Sequence, residues 1–218
     1  MNRINKYYSR RAGGYEQVYE RDDPVRQKEQ NKIAGKIKKV FRGKKVLEIA
    51  CGTGFWTAFL SETAREITAI DSGNEVLEIA RYKNYRCPAY FQKCDACHLP
   101  FFPCSFEGGL ANFWFSHIPK EKIKVFLDGF HRVLSNKAVI FMADNVFNED
   151  IGGKLVRGKD ENNTYKIRIL ESGKRYKVLK NYYSKKEIVD IFSESVSLLD
   201  IYFGDCFWHI CYKVKKNR

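Results

Sequence analysis

Three features of the 218-residue sequence predict one doubly wound, Rossmann-like α/β domain. Short apolar runs of strand length alternate with segments whose apolar residues recur at helical spacing. The first such run ends in closely spaced glycines and passes straight into a helical segment. The last two runs follow each other without a helix between them, so an antiparallel pair closes an otherwise parallel sheet. The expected sheet is seven-stranded and mostly parallel, with an N-terminal helix before it and a late β-hairpin insertion.

The elements follow in order. Residues 24–41 read as a basic helix, entered through Asp22-Asp23-Pro24, which places acids and a proline at a helix start. Residues 45–50 (KVLEIA) form a short buried strand before the glycines, and residues 55–63 continue as helix. A second strand at 66–70 (EITAI) and helix at 75–82 repeat the unit; 89–94 and 107–113 are the third and fourth strands. Residues 120–134 carry Ile123, Phe126, Leu127, Phe130, Val133 and Leu134, an apolar stripe of helical period, and 138–143 (AVIFMA) is a fifth buried strand. Residues 165–170 and 175–180 flank Glu171-Ser172-Gly173-Lys174 as a hairpin; a helix at 185–192 leads to the closing strands 196–203 and 207–214.

Composition excludes several classes. Hydrophobic residues make up 44% and charged residues 30%, ordinary for a globular protein. No apolar run approaches the ~20 residues that span a bilayer. The N-terminus lacks a secretory pattern, so a cytoplasmic protein without a membrane partner is expected. Seven scattered cysteines do not suit a disulfide framework, and reduced thiols are expected. Cys94-x-x-Cys97-His98 lacks a second closely spaced pair, so no metal is expected. The net charge of +13 is uneven: residues 1–45 hold fourteen basic against five acidic residues, and 154–186 hold eleven against three, while 46–153 are slightly acidic. A nucleic-acid or acidic-substrate surface explains this, and so does a lysine-rich solvated surface.

Glu48-Ile49-Ala50-Cys51-Gly52-Thr53-Gly54 carries the most chemistry. A strand running into a glycine turn and a helix brings backbone N–H groups against a ligand at the sheet's carboxyl end. A P-loop would need a lysine after the last glycine, and a dinucleotide fingerprint would want a small residue where Thr57 stands. The acidic Glu48 would repel a pyrophosphate and suits a cationic ligand instead.

In these residues the sequence resembles the class I S-adenosylmethionine (SAM)-dependent methyltransferases. The first motif is matched by Glu48, Gly52 and Gly54, with Ala50 and Cys51 between; Ala50 replaces the usual first glycine. The resemblance implies that Asp71, followed by Ser72, accepts the ribose hydroxyls, and that Asp95, followed by Ala96, faces the adenine amino group. Asn112 and Phe113 then stand beside the transferring methyl, and Tyr15 closes over the cofactor. It implies one methyltransferase domain over residues 1–218: an N-terminal lid and helix at 1–42, a cofactor-binding core at 43–145, and the hairpin insertion and closing strands at 146–218.

The acceptor would meet Trp114, His117 and Asn145 after strands four and five, under Tyr8 and Arg11 of the N-terminal segment. His117 is the candidate catalytic base, since an imidazole titrates near neutrality. Helix entry is its structural alternative, and core packing is that of Trp114. The leading expectation is transfer from SAM to an O, N or S atom of a small molecule. The alternatives are an RNA or protein methyltransferase using the basic flanks, and a non-catalytic SAM-binding module. The residues do not specify oligomeric state.

Overall fold

A computed structural model describes residues 16–149, 154–158, 162–169, 173–193 and 196–214; Tyr8, Arg11 and Tyr15 lie outside them. The elements are α1 (Pro24–Val40), β1 (Lys45–Ile49), α2 (Phe55–Ser61), β2 (Glu66–Asp71), α3 (Asn74–Arg81), β3 (Ala89–Lys93), β4 (Phe106–Asn112), α4 (Ile123–Val133) and β5 (Leu134–Asn145). They continue with β6 (Leu155–Arg157), β7 (Thr164–Ile169), β8 (Arg175–Leu179), α5 (Lys185–Phe192), β9 (Val196–Phe203) and β10 (Phe207–Val214).

The main sheet has seven strands in the order β3-β2-β1-β4-β5-β10-β9. Strands β1 to β5 pair in parallel, and β10 runs antiparallel to β5 and β9. The order reverses between β1 and β4, which opens a crevice outside the carboxyl ends of those strands.

Local sequence explains these elements. The Asp23 carboxylate caps α1 by accepting the Arg26 N–H at 3.0 Å, Pro24 occupies the first turn, and Lys38 and Lys39 sit at the negative end of the helix dipole. Ile33, Ile37 and the following Phe41 bury one face of α1 against the sheet, together with Trp56 and Leu60 of α2. Phe126 and Phe130 of α4 and Ile188 and Phe192 of α5 cover the opposite face. β4 accommodates both layers because it carries two adjacent glycines. A Cβ on Gly108 would lie 2.7 Å from the Phe41 ring, and one on Gly109 would lie 2.5 Å from Phe130. Phe130 is fully buried in this contact; its replacement by alanine would cost about 3–5 kcal/mol.

Three details differ from the sequence reading. The expected hairpin is a three-stranded sheet, β6-β7-β8, because Leu155–Arg157 adds an edge strand. The fifth strand begins at Leu134 rather than at Ala138, passing through Lys137 with φ of 64°. Residues 120–122 form a 3-10 turn, so α4 starts at Ile123.

Candidate active site

After β1 the backbone enters the left-handed region at Ala50 (φ 53°), Gly52 (φ 56°) and Gly54 (φ 81°). That conformation costs a non-glycine residue about 1–2 kcal/mol, so the first of these positions favours glycine, and Ala50 occupies it under strain. The turn forms one wall of a cavity of about 290 Å³ at the carboxyl ends of β1, β2 and β4. Ala50, Cys51, Gly52, Asp71, Ser72, Asp95, Ala96, Asn112, Phe113, Trp114 and His117 all line it.

Two of the described residues expected to bind the cofactor do not line this cavity. Glu48 is 2% exposed and its carboxyl accepts the Thr57 hydroxyl at 2.7 Å; burial pushes that carboxyl up to about 8. Its role is to hold α2 to β1 beneath the turn. A Cβ on Gly54 would collide with the Tyr85 hydroxyl, so Gly54 allows helix packing rather than ligand approach.

The other two acids, Asp71 and Asp95, both line the cavity. The Asp71 carboxylate accepts the N–H of Gly52 at 3.0 Å on one oxygen and that of Gly73 at 2.8 Å on the other. Burial raises its pKa, and these backbone bonds act in the opposite sense. A third backbone bond, from Ser72, still leaves part of the carboxylate's acceptor capacity for a ligand hydroxyl. Asp95 accepts from Cys97 N–H at 2.9 Å and His98 Nδ1 at 3.1 Å; its partial burial is outweighed by these bonds, which keep it below the usual carboxylate range. No metal-binding cluster forms among the described residues. Both polar atoms of the Asn112 side chain are buried without a hydrogen-bond partner among the described residues. An unsatisfied amide costs about 1–3 kcal/mol, and this one lines the cavity. Phe113 follows at φ 56°, an outlier for a bulky residue and the kind of strain found at ligand sites. The cavity thus offers close backbone, a diol acceptor and an unspent amide, which fit an adenosyl cofactor.

A second cavity, of about 130 Å³, adjoins the first and shares Tyr19, Phe113 and His117 with it. It lies between residues 18–26, the end of β5, the faces of β7 and β8, and Asp205-Cys206. Asn145 lines this cavity rather than the first. Tyr19 stacks on Phe55 with centroids 3.9 Å apart and meets Trp56 and Phe113 edge-on. Glu16 bonds Thr53 and Lys83 and so ties the entering segment to the cofactor turn. Trp114 both lines the cleft and packs on the core through Phe126.

His117 is held by its Nδ1–H, donated to the Leu179 carbonyl at 2.7 Å. Enclosure, and then the Lys180 ammonium, push its pKa down to about 3. The expectation that it titrates near neutrality is therefore corrected: it is a neutral imidazole with a fixed tautomer. Lys180 donates to Asp144 Oδ1 at 2.9 Å and Ser116 Oγ at 2.6 Å, and Asp144 accepts the Ser116 N–H at 2.8 Å. Burial alone would raise the Asp144 pKa, but the ammonium outweighs it and holds the carboxyl at about 2. The sequence reading noticed neither Lys180 nor the pairing; the only local signal was Lys180-Asn181 directly after an apolar strand.

Residues 46–137 match the family model of a methyltransferase domain. Among curated proteins no match is found. Similar solved structures include DhpI in complex with SAH (20% identity, 99% of this chain and 97% of that chain, TM-score 0.76) and as a SAM–HEP complex (21%, 95% and 94%, 0.76). Another is the 1,6-didemethyltoxoflavin-N1-methyltransferase of Burkholderia thailandensis with bound 1,6-didemethyltoxoflavin and S-adenosylhomocysteine (16%, 98% and 88%, 0.66). At these identities the likeness establishes the fold.

Proposed function

We propose that this chain, a SAM-dependent methyltransferase with the class I fold, methylates an O, N or S atom of a small molecule seated in the second cavity. We take its whole length to act as one catalytic unit. The observation that carries the reading is the junction of the two cavities at Tyr19, Phe113 and His117.

Bound SAM supplies a methyl already activated on a cationic sulfur, so the acceptor's lone pair displaces a neutral thioether. The chain's residues then have to align and keep dry. Asn112, Phe113 and Trp114 fix the end of β4 where the cavities meet, and Tyr19 covers that point. Alignment of this kind can supply about 7–11 kcal/mol of a barrier. His117, with a conjugate acid near 3, is a weak base at neutral pH and serves as a rigid wall. The acceptor's proton passes to solvent after transfer.

Methyl-labelled SAM incubated with the full chain and a cell extract tests the proposal. Label in the low-molecular-weight fraction is expected. Label confined to RNA or protein would overturn the choice of acceptor, and intact SAM would overturn catalysis.

A further inference from the structure

The second cavity gathers the two basic regions of the sequence. Arg21 and Arg26 come from the first region, and Lys166, Arg168 and Lys180 from the second. Asp205 is the one carboxylate in the lining, and Lys180 is already matched by Asp144. Arg26 and Arg168 form no ion pair among the described residues.

Arg26 is the most telling of these. It is 6% exposed, its guanidinium lies 4.5 Å over the Phe207 ring, and its Nε is buried without a hydrogen-bond partner among the described residues. Taking a cation out of water costs several kcal/mol, and the cost is recovered only where an anion completes the site. Lys166 is 1% exposed, with Nζ 5.2 Å from the Phe147 ring. Burial, and Arg168 after it, lower the Lys166 pKa. Arg26, Lys166 and Lys180 are buried and Arg168 is half-buried, so a solvated lysine-rich surface does not describe them.

We infer that the second cavity is an oxyanion site, and that the methyl acceptor is a small molecule carrying a carboxylate or phosphoryl group held by Arg26, Lys166 and Arg168. This rests on the reading of the chain as a small-molecule methyltransferase. Guanidinium groups meet carboxylate and phosphoryl oxygens through paired N–H donors, a geometry that fixes orientation as well as affinity. An anion anchored on β7 would direct the rest of the acceptor past Phe113 and His117 toward the cofactor cleft. The size of the cavity admits a small head group rather than a polymer.

The test is calorimetry on the full chain saturated with S-adenosylhomocysteine, titrated with phenylphosphonate, benzoate and the neutral benzyl alcohol. At least one of the two anions should bind while the alcohol does not, and whichever binds more tightly assigns phosphoryl or carboxylate chemistry. Arg168→Gln should weaken anion binding roughly ten- to a hundredfold, the range of a charge-assisted hydrogen bond, with S-adenosylhomocysteine affinity unchanged. Arg26→Gln should do the same where it folds. Equal binding of alcohol and anions, binding of neither anion, or unchanged anion affinity in Arg168→Gln would overturn the inference and leave the methyltransferase reading standing. A short single-stranded RNA displacing the anion would also overturn it, in favour of a phosphodiester ligand. Failure of S-adenosylhomocysteine itself to bind would overturn the underlying reading.

Discussion

Lys180→Met removes a charge from the buried network beneath the acceptor cavity while keeping an unbranched side chain. Side-chain exposure is 8% for Lys180 and 1% for Asp144, so the pair is largely shielded from water. Asp144 would keep the N–H groups of Ser116 and Asn145 and the Asn145 amide, but no positive charge. Removing one partner of such a pair costs about 3–5 kcal/mol. The sign with pH is specific. With its carboxyl at about 2 in the fold, wild-type Asp144 contributes stability that is present above its unfolded value and lost as pH falls through about 2. That contribution is about 2 kcal/mol. In the variant burial is opposed only by those hydrogen bonds, the folded carboxyl titrates above its unfolded value, and the damage is greatest at neutral pH. Urea unfolding at pH 7 and at pH 4.5 should therefore show a large loss at the first and a smaller loss at the second. Adding Asp144→Asn should recover part of the loss at pH 7, since the amide oxygen still accepts the Ser116 N–H. A loss below about 1 kcal/mol, the scale of an exposed pair, or an equal loss at both pH values would refute the reasoning.

Other perturbations test separate parts of the account. Asp71→Asn should weaken SAM binding about tenfold or more, as expected when a charge-assisted bond worth about 1.5–3 kcal/mol is lost; wild-type affinity by calorimetry would remove Asp71 from the ribose site. His117→Gln should keep turnover within about tenfold, well short of the ~10²–10⁴-fold loss of a general base, and the wild-type pH–rate profile should lack a limb from this group near neutrality. Because the folded His117 pKa is depressed to about 3, the unfolded chain binds the extra proton below its ordinary value. Wild-type stability should therefore fall with acidification from pH 6.5 to 5 by up to about 2 kcal/mol, a slope that His117→Gln would flatten in urea titrations. Ala50→Gly should raise the melting temperature by a few degrees, because relief of about 1–2 kcal/mol of left-handed strain outweighs the unfolded-chain entropy of glycine, about 0.4–1 kcal/mol; a lower melting temperature would deny the strain.

The strand–helix alternation was legible because each buried parallel strand is a continuous apolar run, and β1 to β4 begin or end within a residue of their expected bounds. The ends of β2, β3 and β4 were legible through the same register, which places Asp71, Asp95 and Asn112 in the lining of one cavity. Leu155–Arg157 was not, since three residues carry no periodicity. Glu48 and Gly54 were located correctly along the chain, but which face a side chain takes depends on partners such as Thr57 and Tyr85. The protonation of His117 was illegible for the same reason: its enclosure and the Lys180 ammonium, which set it, depend on chain more than sixty residues away. The basic regions were visible as composition, and only the tertiary fold brings Arg168 of β7 and Arg26 of α1 to one cavity.

A crystal structure of the full chain with S-adenosylhomocysteine tests the central claim most directly. The account predicts ribose hydroxyls on Asp71, the buried Asn112 amide satisfied by the ligand, and the sulfur facing the junction of Tyr19, Phe113 and His117, with the cationic cavity beyond it. A ligand bound elsewhere, or a sulfur pointing away from that cavity, would contradict it.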